Sequence, residues 1–133
     1  MAFIPSYIHL FEKGELNQRI KLLKEFLKEC RLCPRECRVN RLNGGVGYCK
    51  APSEIMVSSV FPHFGEEAPL VGYHGSGTIF LTHCNLRCVF CQNYDISHLG
   101  RGEQITPSKM ARAMVKLQEM GCHNINFVTP THY

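Results

Sequence analysis

The sequence predicts an α/β fold in which a helix and a cysteine-rich segment precede the first β/α unit. An apolar run rich in β-formers at residues 77–82 indicates a buried strand. A helical pattern begins at about Thr106, and a second apolar run follows at residues 124–129. Strand, helix and strand in this order form the unit of parallel α/β folds, which bind ligands at the carboxyl ends of their strands.

Length and composition limit the size of the fold and the class of protein. A chain of 133 residues predicts one compact unit, which we divide into an N-terminal helix with its cysteine-rich segment (residues 1–52) and the start of the α/β core (residues 53–133). The net charge of +4 neither indicates nor excludes nucleic acid. The first 30 residues hold no long apolar run, so we expect no secretory signal and no membrane span. Without a signal, eight cysteines favour metal binding in a reducing cytoplasm.

The N-terminal segment predicts an apolar arm followed by a helix. Residues 1–13 are rich in apolar side chains, and we expect them to pack on the body of the protein. Residues 15–29 show helical periodicity. The stripe consists of Leu16, Ile20, Leu23 and Leu27, widened by Leu22 and Phe26.

Four cysteines follow this helix in the pattern C-x2-C-x3-C-x11-C. This first cysteine set is Cys30, Cys33, Cys37 and Cys49. Glycines at 44, 45 and 47 supply a turn that can return the last cysteine to the other three. We expect a closed four-thiolate metal site, and the spacing does not choose between structural zinc and an accessory iron–sulfur cluster. The alternative is four reduced, buried thiols.

Arginines are interleaved with the first cysteine set. They are Arg31, Arg35, Arg38 and Arg41. They could bind an anion or RNA, as the arginines of a zinc knuckle do. The simpler interpretation is that they are solvated.

Residues 54–61 predict a strand that ends at Pro62. The loop after it carries His63, Glu66 and Glu67. A histidine with two carboxylates could bind a metal or take part in catalysis, but we expect an ordinary surface loop.

A second cysteine set lies after the strand at 77–82. It consists of Cys84, Cys88 and Cys91, at spacings of four and three residues. Soft thiolates favour iron–sulfur clusters, zinc or Cu(I). The loop offers no fourth cysteine, and three protein ligands with one open position allow a metal site to do chemistry. Zinc with His83 or His98 as the fourth ligand, or disulfide bonds, are alternatives.

The predicted helix after this loop has clear ends. Thr106 is a good N-cap with Pro107 at the first helical position, and Gly121 is expected as the C-terminal cap. The expected buried stripe is Met110, Ala111, Ala113, Met114 and Leu117. Cys122 is expected to be a buried thiol rather than a fourth cluster ligand.

The motif from Cys84 to Asn93, CNLRCVFCQN, resembles the cluster motif of the radical S-adenosylmethionine (SAM) enzymes. The full run looks most like the branch of pyruvate formate-lyase-activating-enzyme-like iron–sulfur proteins. The CxLCPRxC…GYC pattern of the first cysteine set is similar to that branch too, so the resemblance covers about residues 30–133.

The resemblance implies a partial (β/α) barrel and a mechanism. Cys84, Cys88 and Cys91 would hold a four-iron, four-sulfur cluster whose open iron binds SAM, and Phe90 would lie near the adenine. A core position is the alternative for Phe90. The implied activity is an oxidoreductase that reductively cleaves SAM to a 5′-deoxyadenosyl radical. The implied partners are a reducing protein such as flavodoxin or ferredoxin and a glycyl radical enzyme, with a small metabolite as another substrate class.

Two departures from the family pattern affect this expectation. The Gly-Gly-Glu-like run expected after the second strand is replaced by residues 129–133, TPTHY. A barrel of this kind needs on the order of 200 residues. We therefore expect an incomplete fragment that needs a C-terminal half to turn over. The class of protein that competes with this interpretation is a non-catalytic zinc or iron–sulfur module that binds RNA or a protein partner.

Overall fold

The computed structural model describes residues 3–133 and has a mixed α/β architecture with a four-stranded sheet. The helices are α1 (Ser6–Glu12), α2 (Glu15–Glu25), α3 (Ala68–Val71), α4 (Tyr94–Ser97) and α5 (Pro107–Glu119), with a 3₁₀ turn at Arg41–Asn43. The strands are β1 (Ile55–His63), β2 (Ser76–Leu81), β3 (Glu103–Ile105) and β4 (Ile125–Val128). Their order across the sheet is β3-β1-β2-β4.

The predicted strand–helix–strand unit is confirmed. β2 and β4 pair in parallel, from Gly77 opposite Ile125 to Phe80 opposite Val128. β2 is buried along most of its length, as expected for the central strand of such a unit. Its close approach to the start of β4 requires Gly77, because a Cβ at that position would lie 2.8 Å from the backbone oxygen of Asn124.

The other half of the sheet is antiparallel. β1 pairs with β2, and β3 pairs with β1 over Ile55–Val57. The predicted end of β1 at Pro62 is wrong, because Pro62 lies within the strand opposite Gly77. β3 does not reach this part of β1, so Pro62 occupies an edge position where a missing N–H is tolerated. The three-residue β3 is too short to show periodicity and was not predicted.

α5 begins and ends as the sequence indicates. The Thr106 side chain accepts a hydrogen bond of 3.2 Å from the Lys109 N–H, and Gly121 takes the left-handed conformation (φ 93°) just after the helix. The helix covers the sheet through the core cluster formed by Val57, Ile79, Leu81, Met110, Leu117 and Cys122. Met114 packs at its margin, whereas Ala111 is exposed and does not belong to the buried stripe.

The N-terminal helices form a separate pair. α1 packs on α2, and neither helix contains a buried residue. The expectation that residues 3–13 pack on the body is wrong, because Phe3, Ile4 and Phe11 are exposed; Met1 and Ala2 lie outside the described residues. α2 ends at Glu25 rather than Glu29, since the following turns lead into backbone pairing with the cysteine-rich segment.

Within residues 3–133, no helix has the length and apolar character needed to cross a membrane.

Leu117 should carry a large share of the stability of the α/β unit. Replacing Leu117 with Ala should lower the free energy of unfolding by about 2–5 kcal/mol, because the side chain is almost fully buried between α5 and the sheet. Val115→Ala is the matched control on the same helix, where the side chain is half exposed and the change should stay within about 0.5 kcal/mol. Urea unfolding followed by circular dichroism measures both, and equal losses would contradict the assigned core.

Candidate metal centre

The carboxyl ends of the two parallel strands meet at one edge of the sheet. The His132 side chain, which follows β4, donates from Nε2 to the backbone oxygen of Thr82, which follows β2, over 2.9 Å. Thr131 Oγ1 bonds Asn85 Oδ1 over 3.1 Å. Cys84 lies between these two contacts in sequence, so the second cysteine set begins at the edge where parallel α/β sheets bind ligands.

Two thiols of the second cysteine set already receive hydrogen bonds. Cys84 is buried, and its Sγ accepts from the Leu86 N–H at 3.4 Å. Cys91 Sγ accepts from the Ser97 hydroxyl at 3.2 Å, and the Cys91 N–H donates to the Cys88 oxygen at 3.2 Å, which closes a turn. Hydrogen bonds to the ligating atoms are typical of the outer contacts of metal sites.

Three residues near this edge of the sheet have strained backbone conformations. His83 (φ 62°), Arg87 (φ 52°) and Thr129 (φ 56°) take left-handed conformations without being glycine. Such a conformation is especially unfavourable for a β-branched residue such as Thr129. Strain of this kind concentrates at functional sites, which supports a ligand-binding role for this edge.

Arg87 places a cation inside the cysteine loop. Its Nη1 atom is buried and has no hydrogen-bond partner among residues 3–133. Buried polar groups normally have a partner, so this nitrogen calls for an acceptor. An anionic group held by the three thiolates would supply one, and a thiolate-ligated iron–sulfur cluster is such a group. The chemistry of the donor set, three thiols and a buried N–H, is compatible with a cluster.

The tip of the loop is apolar and exposed. Val89 is 92% exposed, Phe90 86% and Leu86 67%. The alternative that Phe90 is an ordinary core aromatic is wrong. Contiguous apolar side chains exposed to solvent are typical of interaction or ligand-binding surfaces.

The two histidines considered as zinc ligands have other partners. His83 Nδ1 lies 2.7 Å from Thr82 Oγ1, and burial, followed by the nearby Arg87 charge, lowers the pKa of His83. His98 Nδ1 lies 2.8 Å from Ser97 Oγ, and its ring stacks on Tyr94. In the part of the chain that the structure describes, neither imidazole is hydrogen-bonded to a cysteine sulfur.

Cys122 lies at the other end of β2. Its Sγ donates to the His74 oxygen over 3.6 Å, and its Cβ lies beside Gly77 at the amino end of the strand. Cys84 follows the carboxyl end. The five residue steps of β2 between these ends span about 16 Å at roughly 3.3 Å per residue, which is too far for a shared cluster. Cys122 is therefore a core thiol, as predicted.

The structure also brings the first cysteine set together. Its four cysteines line one cavity of about 10 Å³. Cys37 Sγ accepts from the Tyr48 N–H at 3.3 Å, and Cys49 Sγ accepts from the Ala51 N–H at 3.5 Å. Burial raises the pKa of the Cys49 thiol, the Ala51 N–H and Arg41 oppose this, and the neighbouring Cys30 and Cys33 raise it further.

Neither set is in finished ligand geometry. Among residues 3–133, no group of three or more Cys, His, Asp or Glu side chains is already arranged to bind a metal ion. A cysteine thiol changes position by rotation between staggered χ1 rotamers. Binding of a metal by either set therefore requires its thiols to change position.

The interleaved arginines all have partners within the chain. Arg31 and Arg38 pair with Glu29, in exposed ion pairs of 3.1 and 3.5 Å. Arg35 donates from Nε to the Asn85 oxygen at 3.0 Å and lies over the Tyr48 ring. These contacts give no support to an RNA-binding role for the arginines.

Arg41 joins the two cysteine sets. Its side chain is 2% exposed and donates from Nη1 to the His132 oxygen at 2.7 Å, while Nε and Nη2 donate to the Pro52 oxygen. Nη1 also lies 3.9 Å from Cys30 Sγ. Burial lowers the pKa of His132, whose Nε2 in turn bonds Thr82. Periodicity could not reveal this link, because it connects residues 91 positions apart.

Comparisons with known proteins include a relative whose name states no function. The chain is 37% identical over 120 residues to a protein of Methanocaldococcus jannaschii that is named only as uncharacterized. The match covers 85% of the chain, which spans about a third (34%) of the length of that relative. No family model matches the chain. No solved structure matches it.

Removal of the Arg41 side-chain donors should destabilise the whole molecule. Arg41→Met keeps much of the aliphatic stem but leaves the His132 and Pro52 carbonyls without their partner, and each unsatisfied buried group costs about 1–3 kcal/mol. Arg112→Met, at an exposed position of α5, is the control and should change the urea midpoint little. A midpoint for Arg41→Met equal to that of the control would contradict the bridging role.

Proposed function

We propose that this chain carries the cluster-binding part of a radical SAM protein similar to the pyruvate formate-lyase-activating enzymes. The observation that supports this most is the position of Cys84, Cys88 and Cys91 on one loop, which starts at the carboxyl end of the central parallel strand. The loop also holds Arg87, whose buried Nη1 lacks an acceptor among the described residues. Three thiolates and one open position suit a four-iron cluster that also binds a cofactor, and the buried Arg87 Nη1 suits the negative charge of a thiolate-ligated cluster.

The chemistry of the proposed site belongs to its cofactors. Held by Cys84, Cys88 and Cys91, a four-iron cluster would supply the electron for the reductive cleavage of SAM, which is the source of a 5′-deoxyadenosyl radical in enzymes of this kind. The protein supplies three thiolates and tunes them. The Leu86 N–H and the Ser97 hydroxyl donate to two of the sulfurs, which raises the reduction potential of a cluster bound there.

The positive charge of Arg87 acts in the same direction as these hydrogen bonds. Its guanidinium would stabilise the additional negative charge of a reduced cluster more than that of the oxidised cluster. Burial of Nη1 reduces screening of this charge by water.

Residues 129–133 form the proposed SAM-facing wall. Thr131 bonds Asn85 in the cysteine loop, and His132 bonds Thr82 at the start of it. The exposed ring of Phe90 offers a flat surface on which an adenine can stack. Because residues 129–133 replace the Gly-Gly-Glu-like run, we propose that polar groups of this segment contact the amino-acid part of SAM.

We also propose a more specific fold for the α/β unit. We interpret β2, α5 and β4 as the first unit of a partial (β/α) barrel. Within the described residues β4 has β2 as its sole neighbour, so further β/α units would add at its open edge. We assign SAM turnover to a longer protein that supplies those strands, in keeping with the share of the relative that this chain spans.

The partners come from the resemblance rather than from the geometry. They are a reducing protein such as flavodoxin or ferredoxin, and a glycyl radical enzyme as the substrate of the longer protein. The competing class, a zinc module that binds RNA or a protein, has less support because the four arginines near the first cysteine set are engaged within the chain.

Cluster binding should depend on Cys88 and not on Cys122. After anaerobic reconstitution, the wild-type chain should be brown and contain about four irons at the second cysteine set. Cys88→Ala should lose these irons, whereas Cys122→Ala, which removes a thiol at the opposite end of β2, should keep them. Iron and sulfide analysis with visible absorption measures the outcome.

The same experiment includes a test of the cofactor. Addition of SAM should change the spectrum of the reduced wild-type protein and of Cys122→Ala. A colourless, zinc-containing wild-type protein, or loss of the cluster in Cys122→Ala, would contradict the proposal.

Arg87 should tune the reduction potential of the bound cluster. Arg87→Met removes the buried cation, so the midpoint potential should become more negative because the reduced cluster loses electrostatic stabilisation. Arg87→Lys should restore part of the shift. Arg101→Met is the control, since Arg101 is exposed and paired with Asp95 at 2.7 Å. Redox titration of the three variants measures the effect, and equal potentials for Arg87→Met and the control would refute it.

A further inference from the structure

We infer that the first cysteine set binds a single zinc ion through four thiolates, as a structural site separate from the second cysteine set. The four cysteines arrive from two segments, residues 30–37 and residue 49, and line one cavity. This inference does not rest on the proposed function, because it concerns other residues and a metal that does no redox chemistry.

The small cavity between the four cysteines favours one ion over a cluster. Its volume is about 10 Å³. One water molecule requires about 10–15 Å³ measured in the same way, so the cavity has room for roughly one atom. A four-iron, four-sulfur cube would have to displace the walls. Gly47 forms one of these walls, where even an added Cβ would lie 3.0 Å from Cys37 Sγ.

The backbone around the thiols is held independently of any metal. The Cys30 N–H donates to the Val39 oxygen at 2.9 Å, and the Arg38 N–H donates to the Cys30 oxygen at 3.0 Å. The Glu36 N–H donates to the Cys33 oxygen at 3.0 Å, which closes the turn between the second and third cysteines. The backbone of residues 30–39 is therefore hydrogen-bonded without a metal, and the thiols would change rotamer to bind one.

The outer contacts suit a four-thiolate zinc site. Such a site carries a net charge of about −2, which needs donors and cations around the sulfurs. The Tyr48 and Ala51 N–H groups donate to Cys37 and Cys49. The Arg41 guanidinium lies 3.9 Å from Cys30 Sγ. With four protein ligands the ion has no open position, so the site serves structure.

The ion would also order the contacts that support the second cysteine set. Arg41 extends from the cavity to the His132 oxygen, and Arg35 extends from its lining to the Asn85 oxygen. Zinc at the first set would therefore fix the position of both arginines and, through them, the loop that carries Cys84.

The test isolates the first cysteine set by working in the Cys88→Ala background, in which the second set retains two thiols. The metal-free 133-residue protein is titrated anaerobically with Co²⁺ and then with Zn²⁺. One equivalent of Co²⁺ should give the intense visible bands of a tetrahedral thiolate site, and one equivalent of Zn²⁺ should abolish them. X-ray absorption of the zinc form should show four sulfur ligands at about 2.3 Å.

Two further variants in the same background provide the matched comparison. Adding Cys33→Ala should weaken zinc binding by more than about 100-fold, since loss of an outer hydrogen bond alone costs about 10–100-fold. Adding Cys122→Ala should leave affinity unchanged. If the Cys33 variant does not fold, the sulfur count from X-ray absorption still decides. Fewer than four sulfurs, or an iron–sulfur cluster reconstituted in the Cys88→Ala protein, would overturn the inference.

Discussion

The buried guanidinium of Arg41 is the interaction on which the arrangement of the two cysteine sets depends. It donates to backbone oxygens of Pro52 and His132 and lies against Cys30 Sγ, so it joins the cysteine-rich segment to the residue that follows β4. His132 continues the chain of contacts to the Thr82 oxygen, two residues before Cys84. A buried charge is tolerated here because its donors have partners, and removal of any one member leaves the others unsatisfied.

This linkage explains how a short parallel unit can hold the loop that carries the second cysteine set. β2 and β4 deliver Thr82 and residues 129–133 to the same edge, and the bonds from Thr131 and His132 hold the start of the loop from one side. Arg35 holds Asn85 from the other side. The start of the loop therefore has a supported backbone, while the apolar tip at Val89 and Phe90 is exposed.

Much of the fold was predictable because it rests on local signals. The cap at Thr106, the glycine at 121 and the apolar run of β2 place the α/β unit close to its observed bounds. The antiparallel half of the sheet was harder to predict from the sequence. Pro62 suggests that β1 ends there, whereas it lies within β1 at an edge position that tolerates proline. The N-terminal stripe predicted burial, yet Ile20 and Leu23 remain exposed, because periodicity shows an apolar face but not what covers it.

In the candidate site, too, local features were predictable from the sequence and long-range contacts were not. Spacing identifies the two cysteine sets, but the roles of Arg41 and His132 arise from contacts between distant segments, and the burial of Arg87 Nη1 appears only in the folded chain. The central claim is that the second cysteine set leaves one iron open, and Mössbauer spectroscopy of the reconstituted protein tests it most directly. We predict one iron that differs from the other irons of the cluster and whose isomer shift changes when SAM is added. Equivalent irons that do not respond to SAM would contradict it.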